Sequence, residues 1–214
     1  MKKINLEILE ASYIYDKEQI KELNTKELVP KMVTRRRLTR SAKIAIYLAS
    51  KINANTQRIV YGNAYGELNA TQSILNSINN KEQISPTVFQ NSVYNTAISY
   101  LSMLNTNTSE IMTVSSGDIT SSNILKAGAI KALDKDEIVL IVTESLNIDH
   151  IEDMNSCIEF LEVGVALKVK VTNEENTLSF DNNNDEKYPP SVVSMLNIAK
   201  NFNKEQKNII TICL

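Results

Sequence analysis

Three groups of residues in this 214-residue sequence have types and spacings suited to chemistry. The densest is basic: Lys31, Arg35, Arg36, Arg37, Arg40 and Lys43 crowd one short stretch. Guanidinium forks match the oxygens of phosphates or carboxylates two at a time. A solvated helix start is the plain reading of such a run. Cations at a helix N-terminus oppose the macrodipole, however, which favours a specific acidic partner. No stacking aromatics are interleaved with the run, so nucleic acid is not the expected partner. The second group is Ser115-Ser116-Gly117-Asp118, which follows an apolar strand and precedes a helix, as a nucleophile elbow does. A serine there needs a base. The sole histidine is His150, between Asp149 and Ile151, and its plain reading is an exposed loop residue. Glu67 and Asp118 form the third group, as a candidate acid pair whose plain roles are capping and salt bridging.

Other chemistries are excluded by count. Cys157, Cys213 and His150 are too few and too scattered for a zinc site of Cys and His, and no CxxC redox pair occurs. Both cysteines are expected as small core residues. Neither GxGxxG nor GxxxxGK[ST] is present, so no common phosphate-cradling loop and no cofactor are expected. With 23 Lys+Arg against 25 Asp+Glu, the net charge of −2 gives no overall attraction to nucleic acid. Apolar runs fall short of the roughly 20 residues of a membrane span. The N-terminus turns acidic by Glu7 and Glu10 instead of forming a signal sequence, so a cytoplasmic protein is expected.

These groups need a scaffold. Ile4, Leu6 and Ile8 alternate with polar residues, predicting a strand over 4–15. One helical face over 37–53 carries Leu38, Ala42, Ala45, Ile46, Ala49 and Ile52. A short strand over 58–62 leads to a helix capped by Asn69 with Ile74, Leu75 and Ile78. Ser85-Pro86 is a helix start, and Phe89, Val93, Ala97, Ile98, Leu101 and Leu104 predict one long helix after it. A strand over 111–114 precedes the elbow. A buried helix with the small face Ala127-Gly128-Ala129 follows, and then a fully covered strand over 138–143. A half-exposed strand over 164–171, a polar loop over 173–190, a helix over 191–203 and a last strand over 209–214 complete the chain. Alternating strands and helices predict one α/β domain over 1–214, with helices on both faces of the sheet. No linker or repeat interrupts it.

Several segments together resemble the N-terminal-half β-ketoacyl synthase-like family, the chain-length-factor-like proteins of aryl-polyene or fatty-acid-type gene clusters. They are Arg35-Arg36-Arg37-Leu38-Thr39-Arg40 opening a helix, Tyr65-Gly66-Glu67-Leu68 with Thr71 and Ile74-Leu75, and Ser85-Pro86-Thr87-Val88-Phe89-Gln90-Asn91-Ser92-Val93-Tyr94-Asn95. Gly117-Asp118 and Ala127-Gly128-Ala129 follow at the spacing of the family, and the likeness covers about residues 30–145. Tyr94 stands where relatives often carry histidine. The resemblance implies a thiolase-like α/β fold, the N-terminal half of a ketosynthase, with a mixed sheet. It places the ketosynthase nucleophile near Gly117, where this sequence has no cysteine. A ketosynthase also draws two histidines, or a histidine and an asparagine, from its C-terminal half. No independent condensing activity is therefore expected. The implied role is a non-catalytic partner, paired with itself or with a ketosynthase and docking acyl carrier protein. Arg35, Arg36, Arg37, Glu67, Asn95 and Asp118 are its motif residues. The alternative is a serine-based acyl hydrolase or transferase using Ser115 or Ser116.

Overall fold

In the computed structural model the described residues are 2–134, 136–151, 158–178 and 186–214. Among them, six strands form one mixed sheet: β1 (Lys3–Asp16), β2 (Arg58–Gly62), β3 (Ile111–Val114), β4 (Ile138–Ser145), β5 (Glu162–Thr172) and β6 (Asn208–Cys213). Their order is β3-β2-β4-β5-β1-β6. β2 runs parallel to β3 and β4, whereas β4–β5, β5–β1 and β1–β6 are antiparallel.

Helices cover both faces, as expected. α1 (Thr25–Leu28), α2 (Met32–Arg37), α3 (Arg40–Lys51), α4 (Leu68–Asn79), α5 (Pro86–Asn91), α6 (Thr96–Asn105), α7 (Thr120–Lys131) and α8 (Pro190–Asn201) follow in chain order. The side-chain alternation of a strand divides the core in two. Val60, Leu140, Val142, Val165 and Leu167 pack with α7 and α8 on one face. Ile59, Tyr61, Val139, Ile141 and Ala166 pack with α3 and α6 on the other. All eight residues of β4 are buried, which explains its unbroken apolar run. Among the described residues, no helix is long and apolar enough to cross a membrane.

The helix predicted over 37–53 is α3, which begins three residues later, and a separate short helix, α2, precedes it. Thr39 caps α3, its Oγ1 accepting from the Ala42 N–H at 3.1 Å. Arg35, Arg36 and Arg37 therefore occupy the last turn of α2, where cations complement the helix dipole instead of opposing it. The long helix predicted from Ser85 is broken between α5 and α6. Ser92 Oγ donates to the Phe89 carbonyl at 2.8 Å, a local bond that competes with helix continuation. Phe89 and Val93 are consequently exposed rather than core. The N-cap of α4 is Glu67, not Asn69. Cys213 is half-buried instead of a core thiol, and Cys157 lies outside the described residues, as does most of the polar run over 182–187. The strand predicted half-exposed over 164–171 is buried through its first half.

Small residues set the layer spacing. Gly128 of α7 faces Leu140, and a Cβ there would come within 2.5 Å of its Cδ2. Gly164 of β5 is similarly tight: a Cβ would lie 2.4 Å from Ile44 Cγ2 and 2.7 Å from Leu48 Cδ1. Ile44 is β-branched and held on α3, so it has little freedom to retreat. Gly164→Ala should lower the unfolding free energy by about 1–3 kcal/mol, the usual cost of overpacking, measured by urea denaturation. An unchanged midpoint would show that α3 is not fixed against β5.

Candidate functional site

The carboxyl ends of β2 and β4 carry a buried polar network inside an otherwise apolar sandwich. Tyr61 hydroxyl and Thr143 Oγ1 share a hydrogen bond of 2.8 Å. Asn63 leaves β2 and turns the chain, its Oδ1 accepting from the Tyr65 N–H at 3.1 Å and the Gly66 N–H at 2.6 Å. Gly66 adopts a positive φ of 70°, and a Cβ there would lie 3.3 Å from the Tyr94 ring. The Asn63 amide also donates to Ser41 Oγ at 3.4 Å and the Tyr61 hydroxyl at 3.5 Å. Burial pushes the Tyr61 phenol well above its ordinary value.

Two carboxyl groups sit in this network. Glu144, fully buried at the end of β4, accepts on Oε1 from the Ala64 N–H at 2.7 Å and Ser191 Oγ at 2.8 Å. Its Oε2 is buried with no hydrogen-bond partner. Glu67, 7% exposed, accepts from Thr39 Oγ1 at 2.7 Å. Burial raises both carboxyls to about 7, against weaker lowering by their hydrogen-bond donors. Beside Glu67 lies a cleft of about 300 Å³ that Thr39, Arg40, Lys43 and Asn91 also line. Lys43 is pushed down, by burial first and then by the neighbouring Arg40. This cleft offers a buried carboxyl beside Lys43 and an Arg40 that is already paired with Glu162. It can hold a polar group.

The elbow has the expected strand–turn–helix form. Thr120 holds the turn: its Oγ1 donates to the Gly117 carbonyl at 2.7 Å and accepts from the Ser116 N–H at 3.0 Å. Gly117 takes φ 55° and would meet nothing within 4 Å if it carried a Cβ. Ser115 Oγ is exposed and donates to the Ala64 carbonyl at 3.3 Å. His150 is exposed, in a left-handed conformation after β4. Asp118 is exposed and its charge acts on the Tyr65 phenol, whereas Glu67 is buried against Thr39. Thus the two acids have separate surroundings.

The arginines divide as well. Arg35 turns back, its Nη1 donating to the Val29 carbonyl at 2.7 Å and the Pro30 carbonyl at 2.5 Å. Arg36 and Arg37 are exposed, and among the described residues no acid pairs with their side chains. Arg40 points inward, making a two-pronged pair with buried Glu162 at 2.8 and 2.5 Å. Asn95 is exposed at the N-cap of α6, without a side-chain capping bond. Sequence reasoning missed Tyr61, Asn63, Glu144 and Glu162. For Glu144 a signal existed: an acid that closes a continuous apolar strand is buried with it.

A family model described as beta-ketoacyl synthase, N-terminal domain, matches residues 11–212. No curated protein matches the sequence. Solved structures with the same fold include the ketosynthase ApeO in complex with its chain length factor ApeC from Xenorhabdus doucetiae. The match is 19% identical with a TM-score of 0.64, over 78% of this chain and 79% of that chain. The ishigamide ketosynthase/chain length factor matches at 12% identity and a TM-score of 0.62, over 78% of this chain and 62% of that one. AntDE:AntF, a type II PKS acyl-carrier protein in complex with its ketosynthase bound to the hexaketide, matches at 11% identity and a TM-score of 0.63. There the match covers 79% of this chain and 64% of that one. This chain thus spans less than two thirds of the chains in the latter two. The likeness is one of fold, and it bears out the thiolase-like α/β expectation.

A raised carboxyl favours the neutral form in the folded state. The stability that Glu67 and Glu144 contribute is therefore complete below about pH 4.5 and is lost as pH climbs through about 7. Each accounts for up to about 3 kcal/mol across that window. Glu144→Gln should be less stable or equal at pH 4.5 and relatively more stable at pH 8. The stability of the variant relative to wild type should rise steadily between those values in urea titrations. A pH-independent difference would mean that Glu144 is ionised throughout.

Proposed function

Because this chain belongs to the beta-ketoacyl synthase N-terminal domain family, we propose that it is a non-catalytic, chain-length-factor-like subunit of fatty-acid or polyketide-type synthesis, aryl-polyene synthesis included. Residues 1–214 act as one domain in this reading, paired with a ketosynthase or with a second copy. The observation that carries it is the elbow. Its backbone is formed, but positions 115–118 read Ser-Ser-Gly-Asp, and the cysteines stand at 157 and 213. Decarboxylative condensation needs a thiolate to carry the acyl group and donors for the developing negative charge. A serine enzyme at the same turn needs a base, and the Ser115 hydroxyl proton points to a backbone carbonyl.

The exposed apolar residues support a partner. Leu75, Ile78, Phe89, Val93 and Ile119 are each at least half exposed. Among the described residues, β3 pairs with β2 alone, leaving one strand edge open. Isologous pairing, or its heteromeric equivalent, is the common way to cover such surface. Arg36 and Arg37 present unpaired guanidinium groups to an acidic carrier protein.

Sedimentation at micromolar concentration should give a dimer, or a complex with a ketosynthase, burying at least roughly 1,000 Å². Carrier-protein binding should weaken as salt rises and fall with Arg36→Glu. A monomer that binds neither protein at low salt would defeat the reading. The chemistry is tested separately. Ser115→Ala and Ser116→Ala should leave the activity of a reconstituted synthase within a few-fold of wild type. A loss of about a thousand-fold would instead assign a serine acyl hydrolase or transferase.

A further inference from the structure

A second recess lies away from the strand ends, between the segment over 28–37 and the helices α3 and α6. Its volume is about 760 Å³, inside the range of small-molecule sites. Apolar side chains make up most of the walls, Leu28 and Val33 from one segment and Met103 and Leu104 from α6, with Thr34, Ser50, Asn55 and Asn105 interspersed at the rim. Val33 and Met103 are each 65% exposed, an unusual state for such residues on facing walls. Arg35 braces one wall through its bonds to the carbonyls of Val29 and Pro30.

The charges at this recess have one sign. Lys31 and Arg37 line it, and no aspartate or glutamate does. Among the described residues neither cation has an ion-pair partner. A mostly apolar trough with two cations that lack an ion-pair partner complements an aliphatic chain that ends in an anion, whereas a cationic ligand would meet like charge.

We infer that the recess between α2, α3 and α6 is a binding site for a single-chain carboxylate, a free fatty acid whose tail lies between Val33 and Met103 and whose head meets Lys31 and Arg37. This goes beyond carrier docking and is separable from it: Arg37 borders both surfaces, but Lys31 and Met103 line the recess and Arg36 does not.

Titration calorimetry with dodecanoate, kept below micelle formation, tests it. We expect one molecule bound per chain and dodecyltrimethylammonium at least tenfold weaker. Across hexanoate, octanoate and decanoate, each added pair of methylenes should tighten binding by roughly tenfold while the tail still fits. Lys31→Gln with Arg37→Gln, and separately Met103→Asp, should weaken dodecanoate at least tenfold, whereas Arg36→Gln should not. These positions are exposed, so unchanged melting checks the fold. On the wild-type protein, the methyl signal of Met103, the one methionine lining the recess, should shift with dodecanoate ahead of the other methionines. Equal binding of the cationic amphiphile, indifference to Lys31 and Arg37, or no shift at Met103 would each overturn the assignment.

Discussion

The structure depends on one buried ion pair. Glu162 opens β5 with no exposed surface, and its register neighbours are Asp16 of β1 and Ser145 of β4. Arg40 grips both of its oxygens, the Ile20 N–H donates to Oε2 at 2.7 Å, and Ser145 Oγ donates to Oε1 at 3.1 Å. Arg40 Nη2 also reaches the Ile20 carbonyl at 2.9 Å. Three strands, the loop after β1 and the first residue of α3 therefore meet at one carboxylate. Such a pair adds little net stability over an apolar replacement, but losing one partner leaves an uncompensated charge and costs about 3–5 kcal/mol. It fixes where α3 begins. By drawing Arg40 inward, it leaves Arg36 and Arg37 on the outside.

The contrast with Glu144 and Glu67 is physical. All three carboxyls are buried, but Glu162 faces a guanidinium while the other two are met only by hydroxyl and amide donors. Neutral donors offset only part of the cost of burying a charge. Hence those two rest near neutrality, at about 7. The loop over 63–67 is thus held by a carboxyl that burial shifts upward, whereas α3 is anchored by a two-pronged ion pair.

Much of this was legible in the sequence. Apolar alternation gave β1, the continuous run gave β4, and the small face of α7 gave a tight helix–sheet contact that Gly128 and Leu140 make. Boundaries were less legible where polar side chains intervene. Thr39 starts α3 three residues later than the apolar spacing suggests, and Ser92 lies in a break of a helix whose apolar spacing runs straight across it. That misplaced the dipole argument for the arginines, and it put Phe89 and Val93 in a core they do not join. The buried network was hidden for another reason. Tyr61, Asn63, Ser41 and Ser191 come from distant positions, and nothing local marks a polar residue that will be satisfied by a partner far along the chain.

The elbow shows why chemistry and fold can separate here. Its geometry is held by Thr120 and by the left-handed Gly117, not by any group that would react. No atom lies within 4 Å of the Cβ that Gly117 lacks. The turn at 117 therefore faces open space, and the exposed side chains of Ser115 and Asp118 lie outside the packed layers. Gly164, Gly128 and Glu162 have no such freedom, because each is fitted against a neighbouring layer. The sandwich is thus fixed by contacts between its layers, and the elbow by hydrogen bonds within its own turn.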